Sequence, residues 1–524
     1  MFFYKKTIVY FFYLYNKLRL NFKKSTIKKH YFMDVYQGIS IGSYLLLMIL
    51  IGIYSYKKSK NNVTDFLLGG RKMGAAVTAL SAGAADMSGW LLMGLPGAMY
   101  ASGLSSSWIA IGLTIGAYLN YLLVAPRLRI YTEKSGNSIT LPDFFENRFR
   151  DNTRILRLIS AIVILVFFTL YTSAGMVSGG RLFESSFGLS YNFGLFLTSM
   201  VVVFYTFLGG FLAVSLTDFV QGTIMVLALI IVPIVVIFEV GGPIETIEII
   251  QAKDIKYLSF FQGTTTIGIL SLLAWGVGYF GQPHILVRFM AIDHVKQLKN
   301  ARRIGISWMI FTLGGAMLIG LFGIAYMAKK DLTIGDPETI FIFFSKILFH
   351  PLIGGFLLSA ILAAVMSTIS SQLLVTSSSI TEDFYKGFFN RNASEKKLLF
   401  VSKISVIIVA VISLLLSLTP KESILNLVGH AWAGFGSAFG PLILLSLLWK
   451  RTSRNGAIVG MIVGGLTVLI WGSIQHPFNH VYSMIPAFTL SFISIIIISL
   501  LSDPPKQEIL DEFNAVEKDL KDLY

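Results

Sequence analysis

The stretch that decides the fold is ALSAGAADMSGWLLMGLPGAMYASG, from Ala79 to Gly103. It is apolar enough to enter a bilayer, yet Asp86 lies near its centre among several glycines and a proline. In lipid an unpaired backbone group costs several kcal/mol, so a helix unwinds only where it lines a cavity or is buried in protein. We therefore expect a helix that is broken near Asp86 and that faces the interior of a helical bundle.

The carboxylate itself has two interpretations. On insertion scales a charged side chain at mid-bilayer costs roughly 2.5–3.5 kcal/mol, so Asp86 needs a partner or a wet cavity. One interpretation is structural, in which the carboxylate caps a half-helix or pairs with a charge inside the bundle. The other is functional, in which it marks a site for an ion or a substrate. We favour the functional interpretation.

The rest of the chain has the composition of a membrane protein. Of 524 residues, 54% are hydrophobic and only 14% are charged, and the mean hydropathy is +0.71. A window of about 19 residues predicts an all-α, polytopic membrane protein with about thirteen transmembrane helices. The predicted spans lie near 39–56, 74–99, 105–125, 158–178, 190–212, 219–240, 266–285, 304–328, 352–378, 404–418, 424–449, 456–473 and 482–501.

Basic residues are concentrated in alternate loops, for example at Lys57, Arg127, Arg302 and Lys450. The positive-inside rule predicts that these loops are cytoplasmic. We therefore expect a multi-pass protein of the cytoplasmic membrane, with the N-terminus outside and the C-terminus in the cytoplasm.

Residues 1–32 are basic and aromatic, and they do not form a standard signal peptide. They are either an amphipathic surface helix or sequence translated from upstream of a true start at Met33, and we favour the second interpretation. The predicted organisation is then a basic extension over 1–32, a transporter domain over 33–504 and a cytoplasmic tail over 505–524. The net charge of +15 comes partly from the extension, so it does not predict a nucleic-acid partner. The predicted partner is the lipid bilayer.

Several function classes are excluded by what the sequence lacks. It contains no cysteine, which excludes disulfides and thiolate metal sites. It contains neither HExxH nor a phosphate-cradling GxxxxGK[ST] motif, and no loop is long enough for a soluble catalytic domain. We therefore predict that the protein is not an enzyme and that it has no cofactor beyond a coupling ion.

A second segment, LAWGVGYFGQPH from Leu273 to His284, also combines glycines with a proline. The glycines could serve only close helix packing. Pro283 and the aromatic residues Trp275 and Tyr279 favour a broken helix that lines a pocket. The two interrupted spans, the second and the seventh, are five spans apart. That offset predicts a five-plus-five inverted repeat, over about 74–240 and 266–449, with ion and substrate bound near the midplane.

The ninth span is rich in hydroxyl groups. Most hydroxyls in a membrane helix bond back to the preceding turn. Ser367 and Thr368 differ because they lie nearest the middle of the span, among small neighbours. Neutral hard oxygens suit a monovalent cation, whereas a calcium site takes more carboxylates. These hydroxyls favour sodium as the coupling ion.

The chain resembles the sodium/solute symporter family from about Met33 to Pro504. The motifs that carry this resemblance occur in order, and they include SAGAADMSGWLLMGLPGA, LPDFFENRF, GGFLAVSLTDFVQ, WGVGYFGQPHILVRFMA, SAILAAVMSTISSQLLV and AWAGFGSAFGP. The resemblance implies the inverted-repeat transporter fold and sodium-coupled uptake of a small solute. L-proline is the expected solute, and another small amino or carboxylic acid is the alternative. A passive channel is a rival that uphill uptake would exclude.

The resemblance also implies roles for individual residues. It places sodium between the second and ninth spans, on the carbonyls of Ala84, Met87 and Ala364 and the hydroxyls of Ser367 and Thr368. It makes Asp86 and Arg71 coupling residues. It assigns substrate binding to Ser88, Gly89, Tyr171, Trp275, Tyr279 and Pro283.

Overall fold

A computed structural model describes residues 34–58, 62–420, 422–471, 478 and 480–523 of the chain. The predicted extension over 1–32 lies outside the described residues. The described residues are almost entirely helical. The α-helices, in chain order, are α1 (Val35–Lys58), α2 (Val63–Leu68), α3 (Ala75–Asp86), α4 (Leu95–Ser102), α5 (Trp108–Leu119), α6 (Ala125–Lys134), α7 (Leu141–Phe149), α8 (Ile155–Phe187), α9 (Tyr191–Val240), α10 (Pro243–Lys253), α11 (Thr266–Leu273), α12 (Pro283–Ala291), α13 (Leu298–Lys330), α14 (Ile340–Ile347), α15 (Pro351–Ser378), α16 (Glu395–Ser417), α17 (Ile424–Leu448), α18 (Arg454–Trp471), α19 (Met484–Leu501) and α20 (Gln507–Lys521).

Ten continuous helical stretches of the described residues are long and apolar enough to cross a membrane. The predicted number of spans was thirteen. The difference comes from irregular spans. One helical stretch, over residues 90–134, contains half of the second predicted span and all of the third. The seventh predicted span consists of short helices, none long enough to count as a crossing. The fifth and sixth spans share α9. The predicted spans are therefore present, but several are joined or broken.

Helix α9 contains 50 residues, far more than one crossing requires. It is interrupted at Gly210, whose φ of 53° and ψ of −142° are not helical. Before this point Tyr205 lies against Gly52, whereas beyond it Gln221 donates a hydrogen bond to Tyr44, further back along α1. The chain therefore reverses at Gly210. The sequence predicted the turn between residues 212 and 219, so its position was wrong by a few residues.

Glycines allow the broken seventh span to approach α5 closely. A Cβ atom on Gly276 would lie 2.1 Å from the carbonyl oxygen of Gly112, and one on Gly116 would lie 2.0 Å from the carbonyl oxygen of Gly276. Both contacts involve backbone, which cannot swing away as a side chain can. The packing interpretation of the glycines and the broken-helix interpretation are thus both correct for this segment.

We expect Gly276→Ala to lower the free energy of unfolding by about 1–3 kcal/mol, because the added methyl group forces two backbones apart. Gly314→Ala is the matched control, since a Cβ atom there meets nothing within 4 Å. That change in the interior of α13 should be neutral or slightly stabilising. Thermal unfolding of the purified variants, followed by tryptophan fluorescence, measures both effects. Equal melting temperatures for the two variants would contradict this account of the packing.

The tail forms an amphipathic helix that packs against the bundle. Ile509, Phe513, Val516 and Leu520 on one face of α20 are buried. On its polar side Asp519 pairs with Lys134 at 3.0 Å. This contact places the tail at the same end of the bundle as α6. The same end also carries Arg71, Arg129 and Arg157, and we call it the basic face.

Candidate functional site

The first break follows α3 at Asp86. Met87 and Ser88 are not helical, and the Ser88 N–H bonds to the Asp86 carbonyl at 2.9 Å. The helix then resumes through a wide turn over Trp90–Gly94 before α4. Gly89 is required here, since a Cβ atom would lie 2.6 Å from the Ser178 hydroxyl oxygen. The predicted interruption at Asp86 is present.

The second break lies between α11 and α12. Residues Ala274–Gly281 form a tight 3-10 helix, and Gln282 is extended before Pro283 begins α12. Proline suits the first turn of a helix because it has no N–H to leave unpaired. Side chains from other helices replace some of the lost helical bonds: Asn120 donates to the Tyr279 carbonyl at 3.0 Å, and the Trp432 indole N–H donates to the Trp275 carbonyl at 2.8 Å.

The two breaks meet at Asp86, whose side chain is 1% exposed. The Tyr279 hydroxyl donates to one carboxylate oxygen of Asp86. The other oxygen has no hydrogen-bond partner among the described residues. Within the same part of the chain, no Lys, Arg or His forms an ion pair with Asp86. The structural interpretation as a buried ion pair is therefore absent from the described residues, and the carboxylate keeps one free acceptor inside the bundle.

The proposed sodium ligands of the second and ninth spans come together. The Ser367 hydroxyl donates to the Ala84 carbonyl at 2.7 Å and to the Ala364 carbonyl at 3.1 Å. The Thr368 hydroxyl shares the Ala364 carbonyl at 3.1 Å. Met87 follows at the break itself. All five residues are buried.

This donor set consists of neutral oxygens, which fits a monovalent hard cation. The described residues contain no group of three or more His, Cys, Asp or Glu side chains that could hold a metal ion. A site for a divalent metal would need such a group. Sodium therefore fits these residues better than calcium or zinc.

Two of the predicted substrate residues, Trp275 and Tyr279, belong to a cluster of aromatic rings. The Trp275 ring lies 6.3 Å from the Trp90 ring and stacks on Tyr482 at 5.4 Å. Tyr279 meets Trp432 edge-on at 5.2 Å. All these rings are buried except Tyr482, which is partly exposed.

Tyr171 lies beside the first break, and Pro283 follows the second. The Tyr171 hydroxyl lies 3.4 Å from the Asp86 carbonyl oxygen, at the long end of hydrogen-bond distance. Ser88 and Gly89 belong to the first break. The sequence missed Trp90, Trp432 and Tyr482 as pocket residues. Trp432 occurs in the quoted motif AWAGFGSAFGP, whereas Tyr482 precedes α19 and carries no local signal.

Arg71 makes its contacts at the basic face and not with Asp86. Its guanidinium donates to the carbonyls of Met290 at 2.7 Å and Ser138 at 2.6 Å. Beside it, Met73 and Ile292 form an isolated parallel β-bridge. Burial and the nearby charge of Arg129 lower the pKa of Arg71 to about 10, so the side chain stays charged at neutral pH. Arg71 thus ties the start of the second span to the end of the seventh.

We expect Arg71→Ala to open this tie, because two charge-assisted hydrogen bonds are lost, each contributing about 1.5–3 kcal/mol. The chain has no cysteine, so a single Ile292→Cys reports on access to this buried position. A maleimide reagent should label it at least about tenfold faster when Arg71 is alanine, since 1.4 kcal/mol corresponds to a factor of ten. Lys72→Ala, an exposed neighbour, is the control. Equal labelling rates of Ile292→Cys with arginine and with alanine at position 71 would show that Arg71 does not hold these segments together.

A buried ion pair that the sequence did not predict lies between the breaks and the basic face. Arg288 on α12 lies 3.2 Å from Asp218 on α9, and the two side chains are 1% and 0% exposed. Ser81 donates to Asp218 at 2.7 Å, and Arg288 donates to Ser371 at 2.5 Å. Both residues lie just outside the predicted spans, Asp218 between 190–212 and 219–240 in the motif LTDFVQ and Arg288 after 266–285 in ILVRF, so the sequence placed them in loops although the structure buries them.

Two broken helices that meet beside a cluster of aromatic rings and neutral oxygens are typical of a secondary transporter of the inverted-repeat class. The chain belongs to the sodium:solute symporter family, whose model matches residues 66–464. It is 60% identical to the osmoregulated proline transporter OpuE of Bacillus subtilis over 486 residues, 92% of this chain and 98% of that relative. It is 59% identical to the high-affinity proline transporter PutP of the same organism, over 89% of this chain and 98% of that relative.

Staphylococcus saprophyticus has a further relative, sodium/proline symporter 2, that is 53% identical over 92% of this chain and 96% of its own. Among solved structures, a Na+-coupled sialic acid symporter in a substrate-bound outward-open state matches with a TM-score of 0.77. That match covers 90% of this chain and 99% of the other at 21% identity. The likeness confirms the all-helical transporter fold.

Proposed function

We propose that this chain carries L-proline into the cell together with sodium, one of each per cycle, by alternating access. The observation that carries the proposal is the 60% and 59% identity, over almost the whole chain, to two relatives named as proline transporters. The sodium/proline symporter from Staphylococcus saprophyticus supports sodium as the coupling ion. Another small amino or carboxylic acid remains the alternative substrate.

The site residues are proposed to fall into two groups, one that binds sodium and one that binds the substrate. Sodium would bind the carbonyls of Ala84, Met87 and Ala364 and the hydroxyls of Ser367 and Thr368. Because Ser367 already contacts Ala84 across two helices, an ion at this point would hold α3 against α15. The end of α3 carries Asp86, so a fixed α3 also fixes the break. Sodium binding would therefore prepare the substrate pocket.

Asp86 links this ion site to the pocket through Tyr279. The negative charge of the Asp86 carboxylate lies close to the neutral sodium ligands. It would favour a cation at the sodium site without coordinating it. Proline is a zwitterion with a compact apolar ring. The ring suits the faces of Trp275 and Tyr279, and the carboxylate suits the N-terminal end of the helical segment that resumes at Gly89, after Ser88. Tyr171 and Pro283 complete the substrate contacts.

The distribution of basic residues supports an orientation with the basic face in the cytoplasm. The chain would then lie in the cytoplasmic membrane with residue 34 on the outer side and the tail inside. Arg71 would close the cytoplasmic side through Met290 and Ser138 while the outer side is accessible. The transporter domain is proposed to span 33–504, with inverted repeats over about 74–240 and 266–449, and the tail to span 505–524.

Sodium can supply enough energy for concentrative uptake. Moving one charge through about 100 mV yields roughly 2.3 kcal/mol. A tenfold sodium gradient adds about 1.4 kcal/mol. Together these terms support accumulation of a neutral zwitterion by several hundredfold, which a passive channel cannot achieve.

Uptake of labelled proline into proteoliposomes of the purified protein tests the proposal. We expect accumulation above the external concentration with an inward sodium gradient, and none with potassium in place of sodium. An excess of unlabelled alanine, glutamate or acetate should leave proline uptake unchanged. Uptake that ignores sodium would refute the coupling, and uptake of one of these competitors in place of proline would refute the substrate.

A further inference from the structure

His284 differs from most buried polar residues of the bundle because neither of its ring nitrogens has a hydrogen-bond partner among the residues that the structure describes. The side chain is 0% exposed. Its ring lies edge-on to Phe168 at 5.4 Å and to Tyr171 at 6.1 Å. Leaving a buried polar group unpaired costs about 1–3 kcal/mol. A polar group that reaches the imidazole at another step of the cycle would remove this cost at that step and so favour it.

Gln372 shows the same feature on a different helix. Its side-chain oxygen accepts a hydrogen bond from the Thr172 hydroxyl at 3.1 Å, while its side-chain nitrogen has no partner within the described ranges. The residue is 0% exposed and follows Thr368 by about one turn of α15. Tyr171 and Thr172 are adjacent on α8. His284 and Gln372 therefore approach the same turn of α8, one from α12 and the other from α15.

Both residues lie on the side of the breaks that leads to the basic face. Helix α12 begins at Pro283, and one turn after His284 the Arg288 guanidinium donates to the His284 carbonyl at 2.9 Å. The same guanidinium bonds to Ser371, next to Gln372. The free nitrogens of His284 and Gln372 thus lie between the substrate pocket and the buried ion pair of Arg288 and Asp218.

We propose that His284 and Gln372 form a second, transient contact site for the substrate, the release site, between the central pocket and the basic face. The proposal rests on the proposed function, in which the substrate is a small zwitterionic amino acid. A neutral imidazole offers one donor and one acceptor, and the free amide nitrogen offers donors. His284 can accept from the substrate ammonium or donate to its carboxylate, and Gln372 can donate to that carboxylate. A substrate that leaves the pocket towards the basic face keeps polar partners there.

The test separates binding from release. His284→Leu and Gln372→Met remove the polar atoms and keep much of the bulk, whereas His284→Asn restores a donor and an acceptor. For each purified variant, equilibrium binding of labelled proline in sodium and net uptake into proteoliposomes are measured. We expect the proline Kd to stay within about twofold and net uptake to fall about tenfold or more, as for one lost hydrogen bond to a charged group. His284→Asn should recover most of the uptake.

Three results would overturn the release site. In the first, both apolar variants take up proline at the wild-type rate. In the second, proline affinity falls as much as net uptake does. In the third, His284→Leu lowers net uptake but Gln372→Met does not. If His284→Leu does not fold, as thermal unfolding shows, Gln372→Met and His284→Asn carry the test. A wild-type protein without sodium-dependent proline binding would instead refute the proposed function, so the two failures are distinguishable.

Discussion

Replacing Asp86 with Asn should nearly abolish sodium-driven uptake. The amide keeps the shape and a hydrogen bond to Tyr279 but removes the charge that favours a cation beside the Ala84 carbonyl. At an effective dielectric constant of about 20, two unit charges about 6–10 Å apart attract each other by roughly 1.5–3 kcal/mol, so we expect the sodium affinity to fall about ten- to a hundredfold. Sodium-dependent proline uptake at increasing sodium concentrations measures this shift.

Asp86→Glu is the matched control, because it keeps the charge and lengthens the side chain by one methylene group. It should retain more sodium-dependent uptake than Asp86→Asn. Tyr279→Phe removes only the hydroxyl that donates to the carboxylate. We expect it to weaken proline binding more than sodium binding. If Asp86→Asn transported proline with an unchanged sodium dependence, the role given to the carboxylate would be wrong.

Replacing Ser367 with Ala should raise the sodium concentration for half-maximal uptake about tenfold or more, at the scale of one lost hydrogen-bonding group. The change removes a proposed ligand and the hydrogen bond that joins α15 to α3 through Ala84. Thr368→Ala should act in the same direction, and the double variant should lose most sodium-dependent uptake. The proline concentration for half-maximal uptake should recover at saturating sodium.

Ser359→Ala provides the control for this series. Ser359 lies on the same helix and is also buried, but among the described residues its hydroxyl donates only to Gly355 in the preceding turn. That kind of bond adds little to a helix. The control should keep the wild-type sodium dependence. A similar shift in Ser359→Ala and Ser367→Ala would show that loss of any hydroxyl from α15 matters, and the proposed ion site would not be supported.

The broken helices were predictable because charged residues and helix-breaking residues are rare in segments that cross a lipid bilayer. A charge, glycines and a proline in an apolar run leave few structures other than an interrupted helix, and the breaks occur at Asp86 and Gln282 as expected. The hydroxyl pair at Ser367 and Thr368 was also noticeable in the sequence, and Ser367 does contact α3 through Ala84, but its role in binding sodium stays a prediction. The family model confirms the class of transporter that these segments indicated.

Features that depend on tertiary contacts were not predictable in this way. Trp432 and Tyr482 meet Trp275 from distant parts of the chain, and no periodicity links them. Arg71 bonds to backbone carbonyls of Met290 and Ser138, a role that its residue type alone does not reveal.

The turn within α9 was misplaced for a related reason. A hydropathy window detects apolar length, and the residues around Gly210 are apolar on both sides. Gly210 has a positive φ and packs so closely on Phe66 that a Cβ atom would lie 2.5 Å from its ring, and neither feature is visible in composition. The free nitrogens of His284 could not be foreseen either, because only the packed structure shows that no described partner reaches them.

The central claim is that sodium and proline move together. Its most direct test measures the ratio of internal to external proline concentration at which net proline flux stops. Proteoliposomes with the membrane potential clamped at zero receive a tenfold inward sodium gradient, and internal proline is varied until labelled flux vanishes. One sodium per proline predicts no net flux when internal proline is about tenfold above external proline, since the two gradients then balance. Net flux that stops at equal proline concentrations would contradict coupling, and a ratio near one hundred would contradict the one-to-one stoichiometry.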